Sequence, residues 1–256
     1  MRISISLLLV CLCINITNAQ FTESPLTKVQ FKTSKQTERK KSKKSLFTKR
    51  IIPITLIASG ILLSTSDFEK SLQKDIRGSV GNDFYFGLDD YTRYAPIVQM
   101  YAADIFGVES KNHWFDQTKN LLISSLVTSA ATTILKREVG KPRPGDPSKL
   151  NSFPSGHTSM AFVSAAVLYE EFIDTSPLLA YSGYLFAVTT GSLRMMNNKH
   201  YLSDVLVGAG IGILTTRLVY HYDHLISWNP FKNSEDIAFA PQFTGDSVGV
   251  YFSKSF

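Results

Sequence analysis

The chain has 256 residues, of which 44% are hydrophobic and 19% charged, and this apolar content is enough for a substantial core. The formal net charge is +6, but residues 28–50 contain ten Lys or Arg residues against the single acidic residue Glu38, so this segment carries +9 and the remainder about −3. The positive charge therefore belongs to one segment of the chain, which excludes a nucleic-acid-binding fold with a basic surface.

The N-terminus has the pattern of a secretory signal peptide. Arg2 precedes an apolar run from Ile3 to Ile16, and a Thr-Asn-Ala sequence leads to an expected cleavage after Ala19. Both cysteines of the chain, Cys11 and Cys13, lie within the apolar run, so the mature chain would contain none. This excludes disulfide and thiol chemistry. Neither cysteine follows the small residue that a lipoprotein signal has, which disfavours a lipid anchor.

Apolar segments of helical character dominate the rest of the chain and predict an all-α fold, a helical bundle of about six core helices. Between the first two segments, residues 67–93 are polar, and Gly78, Gly81 and Gly87 are expected to break any long helix. At the C-terminus, Ile237–Phe256 alternates apolar and polar residues, which predicts a short β-hairpin. The six predicted core segments are Ile51–Ser64, Tyr94–Val108, Asn120–Leu135, Ser159–Phe172, Leu178–Met195 and Leu202–Tyr220.

These patterns divide the chain into four parts with a single folded domain, because the motifs described next extend across too much of the chain for two domains. A Lys-rich arm of this kind is typically disordered and solvated, and otherwise contacts anionic lipid head groups. The four predicted parts are a signal peptide (1–19), a basic arm (20–50), the helical domain (51–226) and a C-terminal tail with the possible hairpin (227–256).

Two of the polar motifs lie between the third and fourth apolar segments. The first, residues 136–144, reads Lys-Arg-Glu-Val-Gly-Lys-Pro-Arg-Pro and places Lys136 seven positions before Arg143. The second, Pro154–His157, reads Pro-Ser-Gly-His. Taken alone, the first is typical of a solvated loop and the second of a turn before a helix. Their meaning depends on a third motif.

The third motif contains Arg194, then His200 six positions later and Asp204 four positions after that. In this order and with these spacings, the three motifs resemble the type 2 phosphatidic acid phosphatase and vanadium haloperoxidase superfamily. The resemblance covers about residues 90–221 and departs from the family pattern at Leu193, where the family usually has a serine. We expect Leu193 to pack in a helix core and the hydroxyl of Ser192 to point away from the site.

A phosphate monoester carries close to two negative charges, so its site needs cations and oriented N–H donors. Lys136, Arg143 and Arg194 would supply the charge, the guanidinium groups as bidentate donors. The backbone N–H groups of Ser155 and Gly156 would lie at the N-terminus of the following helix, where anions are favoured. These five residues are the predicted phosphate-binding set.

The predicted catalytic residues are His200, His157 and Asp204. A spacing of four on a helix lets the Asp204 carboxylate accept the Nδ1 proton of His200, which leaves Nε2 free to attack phosphorus. The resemblance implies that His200 becomes transiently phosphorylated and that His157 protonates the leaving oxygen. No metal ion or other cofactor is expected, since the cations and the helix dipole take its place.

The segments are 14 to 18 residues long for the most part, and several contain a charged residue, which favours a soluble bundle. The resemblance implies instead the six spans of lipid-active members. If all six span after a cleaved signal, the loop containing the first two motifs would be cytoplasmic. Three alternatives follow: the first segment does not span, the N-terminus is not processed, or the bundle is soluble in the periplasm.

The sequence predicts a metal-independent phosphatase that acts on a lipid-linked phosphate or pyrophosphate. It would be associated with the membrane of the cell envelope, with its site facing the periplasm. The expected partner is a phosphorylated lipid or a small phosphate ester, with no nucleic acid. The alternatives are a soluble periplasmic acid phosphatase, a vanadate-dependent haloperoxidase, which is usually a longer chain, and a non-catalytic envelope component.

Overall fold

The computed structural model describes residues 46–226, 228–229, 237–244 and 247–254, with the backbone alone for residues 46–50 and for the two strands. The predicted signal peptide, and the basic arm up to residue 45, lie outside the described residues. The described chain is predominantly helical, which confirms the predicted all-α class. Its helices are α1 (Leu46–Leu63), α2 (Asp67–Val80), α3 (Asp89–Thr92), α4 (Ala95–Ile105), α5 (Trp114–Val139), α6 (Gly156–Phe172), α7 (Pro177–Met196) and α8 (Leu202–Tyr222), followed by a 3-10 turn at Asp223–Leu225.

The six predicted core helices are α1 and α4 to α8, and the largest difference in their bounds is at α5. This helix begins at Trp114 rather than Asn120, because His113 caps it: the ring Nδ1 accepts a hydrogen bond from the Phe115 N–H at 3.3 Å. The helix ends at Gly140, which has the left-handed conformation with φ +56° that glycine adopts readily. The first motif therefore begins on the last turn of α5 and continues into a loop.

The polar segment before α4 contains a helix that the sequence analysis did not predict. Helix α2 continues through Gly78 and ends at Gly81, where φ is +91°. Its inner face buries Glu69 and Gln73, and the side-chain amide of Gln73 donates to the carbonyl oxygen of Met195 at 2.9 Å. The expectation that Gly78 breaks the helix is wrong, because these tertiary contacts outweigh the roughly 1 kcal/mol that a helical glycine costs.

Helix α6 lies at the centre of the bundle and packs against α5, α7 and α8. Thirteen of its 17 residues are buried, so it has no polar face of the kind an outer helix presents. Helix α8 approaches it closely at two glycines. A Cβ at Gly208 would lie 2.7 Å from the carbonyl oxygen of Ser155, and one at Gly212 would collide with the carbonyl oxygen of Ser159. This contact fixes α8 against the start of α6, where the second motif lies.

The outer faces of α1, α4, α5 and α7 expose many large apolar side chains. One described helix, Leu202–Leu225, is long and apolar enough to cross a membrane, or two if the bent pair α1 and α2 is taken as one span. In the helix Leu202–Leu225, 56% of the most apolar 18-residue stretch is buried within the protein, and the core helix of a soluble protein can have the same length and composition. The outward-facing apolar side chains include Ile61 and Leu62 on α1, Ile105 and Phe106 at the end of α4, Leu122 and Leu126 on α5, and Leu178, Leu185 and Val188 on α7.

The C-terminal residues form two antiparallel strands, β1 (Ile237–Thr244) and β2 (Ser247–Lys254). Their register pairs Ile237 with Lys254 at one end and Thr244 with Ser247 at the other. The strands lie in the segment for which the alternation of apolar and polar residues predicted a hairpin.

Candidate active site

The three motifs meet where α5 ends, α6 begins and α7 connects to α8. The backbone N–H of Ser155 donates to the carbonyl oxygen of Asp204 at 2.9 Å, which joins the second motif to the third. The N–H of Gly145, in the loop after the first motif, donates to the carbonyl oxygen of Asn198 at 3.0 Å. Backbone hydrogen bonds therefore hold the motifs together, although they are far apart in the sequence.

Asp204 is fully buried in the first turn of α8. Its Oδ2 accepts hydrogen bonds from the N–H of Tyr201 at 2.8 Å and the hydroxyl of Ser152 at 2.5 Å, while its Oδ1 accepts from Nζ of Lys141 at 3.0 Å. Burial acts to raise the pKa of Asp204, but the adjacent imidazole of His200 and the charge of Lys141 outweigh it and place the pKa at about 2. The carboxylate is therefore ionised throughout the physiological range.

His200 is 1% exposed, and its Nδ1 lies 3.5 Å from Oδ2 of Asp204. Burial lowers the pKa of His200 to about 4, with Arg194 and Lys136 acting in the same direction and Asp204 against it. The ring is therefore neutral at pH 7. With the Nδ1 edge facing a carboxylate, the tautomer with its proton on Nδ1 is favoured, and the lone pair is then on Nε2.

Three cations gather beside this pair. Nζ of Lys136 donates to the carbonyl oxygen of Asn151 at 2.6 Å, and Nε of Arg143 donates to Oδ1 of the same asparagine at 2.8 Å. Burial lowers the pKa of Lys136 to about 8, and the charges of Arg143 and Arg194 contribute to this shift. The pKa of Arg143 is also lowered, by burial and then by Arg194. Like charges held together in this way form a site that an anion would stabilise.

Arg194 is 8% exposed and lies in the last turn of α7. Its Nη1 donates to Oδ2 of Asp89 at 2.6 Å, and Oδ1 of Asp89 accepts from the side-chain amide of Asn197 at 3.0 Å. Nε of Arg194 is buried without a hydrogen-bond partner among the described residues. A buried N–H without an acceptor is costly, and a phosphate oxygen would satisfy it.

His157 lies in the first turn of α6, and its side chain is 26% exposed, at the rim of the site. Its Nε2 lies 2.7 Å from Oδ1 of Asp90. Burial and the charge of Arg194 lower the pKa of His157, and Asp90 raises it. The hydrogen bond with His157 in turn lowers the pKa of Asp90. Burial and the charges of Arg194 and Arg93 outweigh the effect of Asp90, so the pKa of His157 lies below its ordinary value.

The second motif contributes less to the predicted phosphate site than expected. The Ser155 N–H is already bonded to Asp204, and the Ser155 hydroxyl oxygen accepts from the N–H and the hydroxyl of Thr158, at 3.4 and 2.9 Å, as the cap of α6. The expectation that the Ser155 N–H faces the phosphate is therefore wrong, because that group joins two motifs. Gly156 is placed differently. The nearest atom to a Cβ built there is Cε of Lys136, at 3.9 Å, so this position faces the Lys136 side chain.

The sequence analysis predicted Asp204 but missed two other acidic residues of the site, Asp89 and Asp90. Asp89 and Asp90 lie 105 and 67 positions from their partners Arg194 and His157, and no local spacing connects them. The only signal was an Asp-Asp pair in a polar segment between apolar helices. Lys141 lies within the first motif, but no role was predicted for it.

Comparison with known proteins shows what this chain is similar to. Residues 117–228 match the family model described as the PAP2 superfamily. A lipid A 1-phosphatase of Porphyromonas gingivalis is 29% identical over 178 residues, which are 69% of this chain and 39% of that protein. The chain therefore spans about two fifths of the length of this curated relative.

Two crystal structures were also matched. Aquifex aeolicus LpxE has 23% sequence identity and a TM-score of 0.47, with 62% of this chain and 99% of that chain covered. The first transmembrane PAP2 type phosphatidylglycerolphosphate phosphatase from Bacillus subtilis has 20% identity and a TM-score of 0.49, with 71% and 99% covered.

The region matched by the family model begins in α5 and continues past the end of α8, so it contains all three motifs. This match agrees with the resemblance of those motifs, so over this region the chain is similar to the PAP2 superfamily.

Proposed function

We propose that this protein is a phosphatase that hydrolyses a lipid-linked phosphate or pyrophosphate through a phosphohistidine at His200, without a metal ion. The observation that carries the proposal is the clustering of Lys136, Arg143 and Arg194 beside a neutral, buried His200 held against Asp204. Transfer of a phosphoryl dianion requires several cations close together, which bind its oxygens, and a neutral imidazole, which attacks its phosphorus.

In the first step the Nε2 lone pair of His200 forms a bond to phosphorus, and the bond from phosphorus to the leaving oxygen breaks. The leaving oxygen takes the bonding electron pair and a proton from His157, so the lipid departs as an alcohol, or as a phosphate if the substrate is a pyrophosphate. Asp204 stabilises the positive charge that develops on the His200 ring. The three cations stabilise the equatorial oxygens of the transferring group.

In the second step a water molecule attacks the phosphorus of the phosphohistidine. His157, now neutral, accepts a proton from that water, and the electrons of the nitrogen to phosphorus bond return to Nε2 of His200. Inorganic phosphate is released, and both histidines regain their starting protonation. The same residue acts first as acid and then as base, so the cycle closes without a further group.

Two observations support a lipid substrate. The outer faces of α1, α4, α5 and α7 expose large apolar side chains, among them Leu178 at 86% and Leu62 at 82%, which water does not favour and the acyl region of a bilayer does. The curated relative is named for its action on lipid A, a phosphorylated lipid. We therefore include association with the membrane in the proposal. The periplasmic location rests on the predicted signal peptide.

The test compares substrates and conditions on purified protein in detergent micelles. Release of inorganic phosphate from phosphatidic acid in the micelles is measured beside hydrolysis of p-nitrophenyl phosphate, in EDTA, with and without vanadate. We expect activity in EDTA, inhibition by vanadate, and kcat/KM at least about tenfold higher for the lipid. Equal kcat/KM values would instead support the soluble acid phosphatase.

The structure gives a reason to include EDTA in this assay. Asp89, Asp90 and His157 offer ligand atoms that lie within 4.8 Å of one another, close enough to hold a cation. Loss of activity in EDTA, restored by Mg²⁺ or Zn²⁺, would contradict the metal-independent scheme.

A further inference from the structure

A buried ion cluster lies directly behind the His200 and Asp204 pair, and the steps above do not use it. Lys141 is 5% exposed, and its Nζ lies within hydrogen-bond distance of four oxygens. These are both carboxylate oxygens of Glu69 at 3.1 and 2.9 Å, Oδ1 of Asp204 at 3.0 Å and the hydroxyl of Ser203 at 2.7 Å. One ammonium group therefore joins α2, the first motif and the start of α8.

The two oxygens of the Asp204 carboxylate have different neighbours. Oδ1 faces Lys141, whereas Oδ2 faces Nδ1 of His200 and accepts the hydrogen bonds from Ser152 and Tyr201. A partial rotation of the carboxylate about its χ2 angle would move each oxygen away from these neighbours, whereas a half-turn would restore an equivalent arrangement. Lys141 therefore opposes the rotation that would move Oδ2 away from the histidine.

Glu69 holds the ammonium from the opposite side. It is 2% exposed, and its carboxylate accepts from the N–H of Thr65 at 2.9 Å and of Ser203 at 3.1 Å, in addition to Lys141. Its position is thus fixed by the backbone at both the start of α2 and the start of α8. Removing one member of such a buried cluster leaves the others with uncompensated charge.

We infer that Lys141 and Glu69 are positioning residues for the phosphoryl transfer. Lys141 keeps Asp204 ionised and turned toward His200, and Glu69 keeps Lys141 in place, while neither residue touches the substrate. This inference rests on the proposed function, since it assigns Asp204 a part in orienting a histidine nucleophile.

The charges around Asp204 determine what happens when Lys141 is removed. The charge of Lys141 helps to lower the pKa of Asp204, so without that cation beside the buried carboxylate Asp204 would bind a proton at a higher pH. A protonated Asp204 no longer stabilises the developing charge on His200. The acid limb of the kcat profile would therefore move to higher pH. The ionisable groups that face Asp204 are Glu69, Lys141, His200 and Tyr201 nearby, and Lys136, Arg143 and Arg194 in the phosphate site.

The experiment uses the purified full-length protein with phosphatidic acid in mixed micelles. The variants are Lys141→Met, which removes the charge at similar volume, Lys141→Arg, which keeps it, and Glu69→Gln. Matched controls are Lys149→Met and Asp67→Asn, which change a lysine with 60% of its side chain exposed in the same loop and a fully exposed carboxylate on α2. kcat, KM and the melting temperature are measured for each protein between pH 4 and 8.

We expect Lys141→Met to lower kcat by at least about 30-fold with KM changed by less than about threefold, and to move the acid limb of kcat to higher pH. Lys141→Arg should recover at least about tenfold of that loss, because a guanidinium can bridge two carboxylates. Glu69→Gln should lower kcat by a smaller factor, and the controls should match the wild-type protein.

A role in folding alone would lower the melting temperature and the yield but leave kcat per folded molecule and the acid limb as in wild type. If Glu69→Gln has a lower melting temperature but wild-type kcat and an unchanged acid limb, the inference is overturned. This test remains available even if Lys141→Met does not fold. His200→Ala is measured in the same series to separate the two claims. An active His200→Ala overturns the proposed mechanism, whereas an inactive one beside normal Lys141 and Glu69 variants overturns the positioning role alone.

Discussion

Oδ1 of Asp90 lies 2.7 Å from Nε2 of His157, so a carboxylate contacts the imidazole that we propose as the proton donor to the leaving group. Because Asp90 acts to raise the pKa of His157 against burial and Arg194, it keeps the imidazole protonated to a higher pH than it would be otherwise. The contact connects α3, a four-residue helix outside the three motifs, to the chemistry.

The first prediction is that Asp90→Asn moves the alkaline limb of the kcat/KM profile to lower pH. Without the carboxylate the pKa of His157 falls, so the general acid loses its proton earlier and activity drops more at pH 7 than at pH 5. The measurement is kcat/KM for phosphatidic acid at half-unit pH intervals. Asp83→Asn, an exposed acidic residue of the same segment, is the control. An unchanged alkaline limb in Asp90→Asn would show that Asp90 does not act on His157.

The second prediction concerns stability between pH 6.5 and 4. The pKa of His200 is about 4 in the folded protein, so below its unfolded value of about 6.5 the unfolded chain binds a proton that the folded chain does not. Stability from this residue is therefore present above pH 6.5 and is lost as the pH falls toward 4, by about 3 kcal/mol. Denaturant unfolding in detergent solution should show this loss in the wild-type protein, and a shallower pH dependence in His200→Asn. Parallel curves for the two proteins would contradict it.

The third prediction concerns the departure from the family pattern at Leu193. Helix α7 continues to Met196, and Leu193 is 7% exposed, so the apolar side chain packs in the bundle as expected. Ser192→Ala should change kcat/KM by less than about threefold, or ~0.7 kcal/mol, whereas Arg194→Ala should cost at least ~3 kcal/mol in transition-state stabilisation. Equal losses in the two variants would show that the Ser192 hydroxyl contributes to the phosphate site.

The fourth prediction uses two glycines with different surroundings. A Cβ at Gly208 would lie 2.7 Å from the Ser155 carbonyl oxygen, so Gly208→Ala should destabilise the protein by about 1–3 kcal/mol and reduce activity by displacing the second motif. Gly78, within α2, has no atom within 4 Å of such a Cβ, so Gly78→Ala should stabilise the protein by ~0.5–1 kcal/mol. Thermal unfolding of both variants is the measurement, and equal melting temperatures would argue against the close contact of α6 and α8.

Local pattern was sufficient to predict the helices whose formation depends on long apolar runs. α6 and α8 are buried on most sides, and their sequences are predominantly apolar, so the predicted bounds lie within three residues of those observed. α2 was missed because its polar sequence and Gly78 do not specify a helix. It is held by Glu69 and Gln73, whose partners belong to other parts of the chain.

The same distinction applies to the site. The spacing of Lys136, Arg143, His200 and Asp204 can be read along the chain, because each pair is close in sequence. Lys136 and Arg143 lie on either side of the end of α5, and His200 and Asp204 lie on either side of the start of α8. Contacts between separate elements cannot be read in this way. The pairing of Asp89 with Arg194 depends on how α3 packs against α7, and the hydrogen bond from the Ser155 N–H to Asp204 depends on how α6 meets α8. These contacts follow from tertiary packing alone.

The most direct test of the account is whether phosphate becomes covalently attached to His200. The wild-type protein is mixed with phosphatidic acid carrying a radioactive phosphate, quenched in base within one turnover and mapped by mass spectrometry. We expect an acid-labile, base-stable phosphoryl group on the peptide that contains His200, no adduct in His200→Ala, and a loss of kcat in that variant of about 10³-fold or more. An enzyme that never forms the adduct, together with near-wild-type turnover in His200→Ala, would contradict the proposed mechanism.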